Sequence, residues 1–249
     1  METPLNRNVR IFSDPGAVAD TAARTFLSAA AVATSLRGRF SVALSGGSTP
    51  QRLYHLLGTS FGGRIKWEFA HLFWSDERCV PRDHMQSNFR LAHDAMISRI
   101  AIPDENVHRI RGELAPEEAS ALYEDELRRY FGQNSPPRFD LILLGIGEDG
   151  HVASLFPGSE ILSEMQHLAM PAFSPAAENW RVTLTLPVLN NAALVVFLVT
   201  GRTKAGIMTE IFAKGKKDAY PAGLVNPHHG RLIWLLDEDA ASGMLHQGP

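Results

Sequence analysis

Apolar runs of strand length recur along this chain, separated by stretches with helical spacing. FSVALS (40–45), AHLFWS (70–75), FDLILLG (139–145), RVTLTL (181–186), ALVVFLV (193–199) and RLIWLL (231–236) are rich in β-branched, aromatic or leucine residues and are bounded by Gly, Pro or charge. Between them the apolar positions take a helical period at roughly 16–36, 50–57, 87–100, 116–131, 202–213 and 238–246. Pro116 followed by Glu117 and Glu118 fits a helix first turn, where proline loses no hydrogen bond and acids complement the dipole. The Pro/Gly/Ser-rich stretch GQNSPPRFD (132–140) is short enough to be a loop between elements, and no repeat or long linker divides the chain. One domain over 1–249 is expected.

Strands alternating with helices predict an α/β fold: a mostly parallel sheet with helices on both faces. In such sheets ligands sit at the carboxyl ends of the strands, so candidate chemistry is sought there.

The first such end is LSGGSTPQRL (44–53). Gly46 and Gly47 permit a tight turn, Ser48 or Thr49 can cap the helix, and Pro50 takes an early position in it. Unpaired amides and two hydroxyls at a helix start suit an anion such as phosphate; a plain glycine turn with a cap explains the same residues. The spacings of a Walker loop and of a GxGxxG fingerprint are both absent.

The second end carries Asp76, Glu77 and Arg78, with Pro81 blocking a helix across them. An arginine there suits an oxyanion, and the acids could orient a base or bind hydroxyls; a solvated loop is the alternative. Cys79, the single cysteine, has no Cys–His pattern beside it and reads as a packing residue.

At the third end, GIGEDGHVAS (145–154), Asp149 and His151 stand among three glycines. An imidazole exchanges protons near neutral pH, and a neighbouring carboxylate fixes its tautomer. The fourth group comprises Arg181, opening a strand, and Lys204, in the first turn after strand 193–199, where a cation opposes the helix dipole and a bound anion would relieve it. Lys216–Lys217 and His228–His229 read as loop residues, and no HExxH, CxxC or carboxylate cluster argues for a metal.

Composition narrows the class. Hydrophobic residues make up 45%, charged residues 20%, and the net charge is −3, an ordinary globular balance with no global case for nucleic acid or an anionic membrane. One cysteine excludes an internal disulfide, METPLNRNVRIF lacks a signal-peptide core, and no segment approaches the ~18 apolar residues of a span. A soluble cytoplasmic protein, monomeric or weakly oligomeric, is expected.

Taken together and in order, LSGGSTP, WSDERCVP followed by Ser87–Asn88, LLGIGEDGHVASLFPG and RVTLTLPVLN closely resemble the 6-phosphogluconolactonase family, over about residues 10 to 240. The resemblance implies a modified Rossmann-like fold shared with glucosamine-6-phosphate isomerase, ribose-5-phosphate isomerase and CoA-transferase domains. It implies hydrolysis of 6-phospho-D-glucono-1,5-lactone to 6-phosphogluconate in the oxidative pentose phosphate pathway, without metal or organic cofactor. Carried over, it makes Gly46, Gly47, Ser48 and Thr49 the phosphate turn and Asp76, Glu77 and Arg78 the charged strand end. His151 becomes the base, and Arg181 and Lys204 the substrate- and phosphate-side cations.

Either Asp149 or Glu77 is then expected to steady the imidazolium. Val152 stands where the family often has Thr. The related amino-sugar phosphate deaminases share DGH but carry a glutamate five residues beyond the histidine, where this chain has Phe156. A missing GxSxG elbow disfavours an acyl-enzyme. A sugar-phosphate sensor of a transcription regulator is the reading from another class; no basic arm or helix-turn-helix precedes residue 40 to support it.

Overall fold

The computed structural model describes residues 8–133, 136–213 and 219–244. In chain order these form β1 (Asn8–Phe12), α1 (Pro15–Arg37), β2 (Phe40–Leu44), α2 (Ser48–Gly58), β3 (Ala70–Trp74), β4 (Asp76–Arg78), α3 (Asn88–Ala95), α4 (Pro116–Phe131) and β5 (Leu141–Leu144). There follow β6 (Ala169–Ser174), β7 (Asn179–Leu184), α5 (Leu186–Leu189), β8 (Leu194–Val199), α6 (Ala205–Phe212), α7 (Pro221–Leu224), β9 (Arg231–Asp237) and α8 (Glu238–Ala241).

Six strands pair in parallel in the order β1-β9-β8-β5-β2-β3. Every residue of β2 and β5 is buried, which explains why they read as unbroken apolar runs. Helix α1 packs along β2, β8 and β9. On the other side of the strands, the Tyr123 hydroxyl of α4 donates to the Trp74 carbonyl of β3 at 2.8 Å and accepts from its amide at 2.9 Å. Helix α1 starts where Asp14 accepts from the Gly16 and Ala17 amides at 2.8 and 3.0 Å, with Pro15 in its first turn. It stops at Gly38, which has φ +69°.

The run 181–186, expected among the parallel strands, instead forms β7 in a second sheet, β4-β7-β6, whose pairs are antiparallel. Its alternation of Arg181, Thr183 and Thr185 with Val182 and Leu184 is the period-two pattern of such a sheet. The sixth parallel strand is β1, a half-exposed edge segment too short and too polar to stand out. The charged triplet 76–78, read as either a solvated loop or a site at a strand's end, is itself the short strand β4.

Two expected helices are shorter and pass through 3-10 turns: 87–100 becomes α3 plus Ile97–Arg99, and 202–213 becomes Arg202–Lys204 plus α6. The expected helix 238–246 is α8 with a tail running outside the described residues, as do Lys216–Lys217 and the middle of the 132–140 stretch.

From β2 the chain moves outward to β3 and then returns to place β5 on the other flank of β2. The strand order therefore reverses beside β2, and a crevice opens at the carboxyl ends there.

Candidate active site

After β2, the Ser45 amide donates to the Tyr54 hydroxyl at 3.0 Å and that hydroxyl donates back to the Ser45 carbonyl at 2.7 Å, so α2 fixes the turn that precedes it. Gly46 lies against the buried Asn88 side chain; a Cβ there would stand 1.9 Å from Asn88 Oδ1, so only glycine fits. Gly47, at φ +108°, opens α2, whose first turn has no side-chain cap. Amides of that turn therefore have no side-chain acceptor. The Thr49 hydroxyl lies 2.7 Å from that of Thr200, at the end of β8.

Strands β4 and β7 set Arg78 directly opposite Arg181. Two like charges in one cross-strand pair repel unless an anion lies between them. Asp76 supplies part of that charge: its Oδ2 lies 3.9 Å from Arg181 Nη1 and accepts from Ser154 Oγ at 2.7 Å, while Oδ1 accepts from Asn88 Nδ2 at 3.2 Å. Burial pushes the Arg181 guanidinium below its ordinary pKa, the nearby Asp76 opposes that, and Arg78 adds to it. Arg78 Nη1 donates to the Gln86 carbonyl, and its Nε is buried without a hydrogen-bond partner.

Glu77 does something else. Its carboxylate, on a residue 2% exposed, accepts from the amides of Arg78, Asn88 and Phe89 at 2.8, 2.7 and 2.7 Å and from the Ser87 hydroxyl at 3.0 Å. Burial raises its pKa against the pull of those donors. Glu77 thereby organises the loop that returns to α3; the structure does not bring it to His151.

Beyond β5 the chain makes a tight loop in which the His151 ring Nδ1 and the Asp149 carboxylate are 2.6 Å apart. Gly147 forms the floor: a Cβ there would come within 2.1 Å of His151 Nδ1 and 2.4 Å of Asp149 Oδ1. Burial works to raise the Asp149 pKa, but bonds from the His151 amide and ring outweigh it and leave the carboxyl below its ordinary value. The Phe156 ring lies with its centroid 5.0 Å from that of His151, and the Arg181 guanidinium sits 5.8 Å from the same phenyl centroid. Lys204 Nζ stands 3.9 Å from the exposed Glu148 carboxylate.

These ends close around one cavity of about 270 Å³ lined by Gly46, Gly47, Ser48, Thr49, Asp76, Arg78, His151, Arg181 and Lys204. Of the candidate site residues named from the sequence, Asp149 and Glu77 are outside its lining, and Asp149 reaches it through His151. Asn88 and Thr200 line it as well and were given no role beforehand. Their positions in the SN and VTG segments were visible, but nothing local marks a buried amide or a lone hydroxyl as part of a distant site. The lining joins the uncapped start of α2, three cationic side chains and an imidazole within a space suited to a small ligand. Among the described residues no group of three or more His, Cys, Asp or Glu side chains could hold a metal. None of the described helices is long and apolar enough to cross a membrane.

Residues 13–234 match the family model described as glucosamine-6-phosphate isomerases/6-phosphogluconolactonase. The chain belongs to that family. Within it, the chain is similar to the 6-phosphogluconolactonase of Homo sapiens, with 42% identity over 216 residues that cover 86% of this chain and 84% of that protein. A 6-phosphogluconolactonase from a Synechocystis species is 42% identical over 84% of this chain and 86% of its own. The fold also superposes on the 6-phosphogluconolactonase from Trypanosoma cruzi with a TM-score of 0.84 at 27% identity, covering 96% of this chain and 97% of that one. As a 6-phosphogluconolactonase family member the chain is an enzyme, and the expected α/β architecture is the one observed.

Proposed function

We propose that this chain hydrolyses 6-phospho-D-glucono-1,5-lactone to 6-phosphogluconate, the lactone-opening step of the oxidative pentose phosphate pathway, with His151 as general base and no covalent intermediate. The observation that carries this reading is that the carboxylate-held imidazole and the uncapped start of α2 line the same small cavity.

The phosphate rests on the α2 amides and the Ser48 and Thr49 hydroxyls, with Lys204 contributing charge. That contact holds C1 of the lactone near His151. With Asp149 ionised, His151 carries its proton on Nδ1, leaving Nε2 to accept one from water. The water oxygen bonds to C1, and the negative charge that develops on the carbonyl oxygen faces Arg78 and Arg181, donors worth a few kcal/mol each in such a role. As the bond from C1 to the ring oxygen breaks, the imidazolium returns its proton to that oxygen. One residue thus serves as base and then acid. A lactone is a reactive ester, so positioning plus one base suffices. Phe156 supports hydrolysis over amino-sugar chemistry: an apolar ring packs on His151 where a deaminase would set a carboxylate.

The test follows acid release from freshly prepared 6-phosphogluconolactone, with unphosphorylated gluconolactone as the control. A marked preference for the phosphorylated lactone is expected. Equal rates on both would remove the phosphate anchor.

A further inference from the structure

The Thr49 and Thr200 hydroxyl oxygens are 2.7 Å apart, one from the first turn of α2 and the other from the end of β8. Two hydroxyls at that distance share a single hydrogen bond, in which one proton lies between them. Whichever threonine donates, the other keeps an O–H for a further acceptor. Both residues line the site cavity, only partly buried, and neither hydroxyl has another partner among the described residues. The pair therefore presents one donor toward the cavity in either orientation, and two once an anion draws both protons.

We infer that Thr200 is a further phosphate-contacting residue of this site, acting with Thr49 as a hydroxyl pair. The inference rests on the reading given above. Thr200 directly follows β8 and precedes the turn Arg202–Lys204, so its hydroxyl links the start of α2 to the segment that carries Lys204. Gly201, next in the chain, is pinned by its amide, which donates to both Asp237 carboxylate oxygens at 3.0 Å. The backbone beside Thr200 is thereby held, while the proton of the shared hydrogen bond can come from either threonine. Such a pair favours a tetrahedral oxyanion over a neutral hydroxymethyl group, because an oxyanion accepts two donors at once.

The experiment compares the wild-type protein with Thr200→Val and Thr200→Ser. It measures kcat/KM on phosphorylated and unphosphorylated gluconolactone, together with inhibition of the reaction on the unphosphorylated lactone by inorganic phosphate. Losing one hydrogen bond to a charged group lowers the phosphorylated-to-unphosphorylated ratio of Thr200→Val by ~10-fold and weakens phosphate inhibition by a similar factor. Thr200→Ser keeps the ratio within about twofold of wild type. Should Thr200→Val fail to fold, Thr200→Ala removes the hydroxyl without adding bulk, and the same ratio is read. A wild-type ratio in Thr200→Val, or equal loss on both substrates, overturns the assignment and leaves Thr200 a link between two loops. A wild-type enzyme with no preference for the phosphorylated lactone overturns the reading beneath it as well, so the two failures are told apart by the wild-type measurement alone.

Discussion

Asp149 Oδ1 holds His151 at two points, accepting from the ring Nδ1 side at 2.6 Å and from the backbone amide at 3.1 Å. One carboxylate oxygen thus fixes both where the loop turns and how the imidazole faces. A side chain that only steadied the ring would leave the loop free to carry it away.

Replacing either partner should separate their parts. His151→Ala is expected to lower kcat by ~10²- to 10⁴-fold, the range for loss of a general base. Asp149→Asn keeps an oxygen for both contacts but loses the negative charge that steadies the imidazolium, and a fall of ~10²-fold in kcat with a small change in KM is expected. Because the Asp149 carboxyl lies below its ordinary value, it stays ionised over about pH 5 to 8, and the wild-type rate profile there carries no step from it. Steady-state kinetics across that interval check both statements; a near-normal rate in His151→Ala would remove the base from the mechanism.

Gly147→Ala tests the floor of the same loop. The added methyl would overlap His151 Nδ1 and Asp149 Oδ1, so the pair must part. We expect at least ~10²-fold loss of kcat with less than about 2 kcal/mol lost in stability, since the loop rather than the core moves. Kinetics beside a denaturant melt would show it; a variant that loses folding and activity together would place Gly147 in the core scaffold instead.

Glu77 separates structure from chemistry. Three amides and a hydroxyl converge on its carboxylate, and glutamine would turn an N–H₂ group toward donors. Glu77→Gln is expected to cost ~1–3 kcal/mol of stability, the penalty for unmatched buried groups. Its kcat per folded molecule should fall by less than about tenfold. Loss of kcat to the level of His151→Ala, in a variant with a normal melt, would return Glu77 to the catalytic group.

The parallel core was legible because β2, β5 and β8 are buried on both faces and write that burial as continuous apolar sequence. Strand β1 was not, since an edge strand with an exposed, charged pattern looks like a loop until its neighbour is known. The same contrast runs through the site. Gly46, Gly47 and His151 advertise themselves through backbone demands and side-chain type. The choice between Asp149 and Glu77 turns on which carboxylate is already committed, and that depends on Ser87, Asn88 and Phe89 arriving from the start of α3. Antiparallel pairing of β4 with β7, which brings Arg78 opposite Arg181, joins segments about a hundred residues apart and leaves no local trace.

The sheet edge away from the site predicts an acid-sensitive fold. His71 Nδ1 lies 3.0 Å from His108 Nε2, and His108 Nδ1 lies 2.7 Å from a Glu126 carboxylate oxygen. Burial, then the charge of His108 and that of Arg39, depresses His71 to about 4. Burial also lowers His108, against the opposing pull of Glu126. Arg129, paired to Glu126, and the Tyr130 ring complete the surroundings. A base whose folded pKa is depressed is neutral in the native state, while the unfolded chain takes up its proton near pH 6.5. Its contribution to stability is therefore complete above about pH 6.5 and is lost as the pH falls toward about 4. The wild-type Tm should drop between about pH 7 and pH 5, ahead of the range where ordinary carboxylates titrate. His71→Gln, which keeps a hydrogen-bonding group but cannot be protonated, should flatten that drop. Melts at a series of pH values and constant ionic strength decide it; equal slopes in the two proteins would assign the sensitivity to other groups.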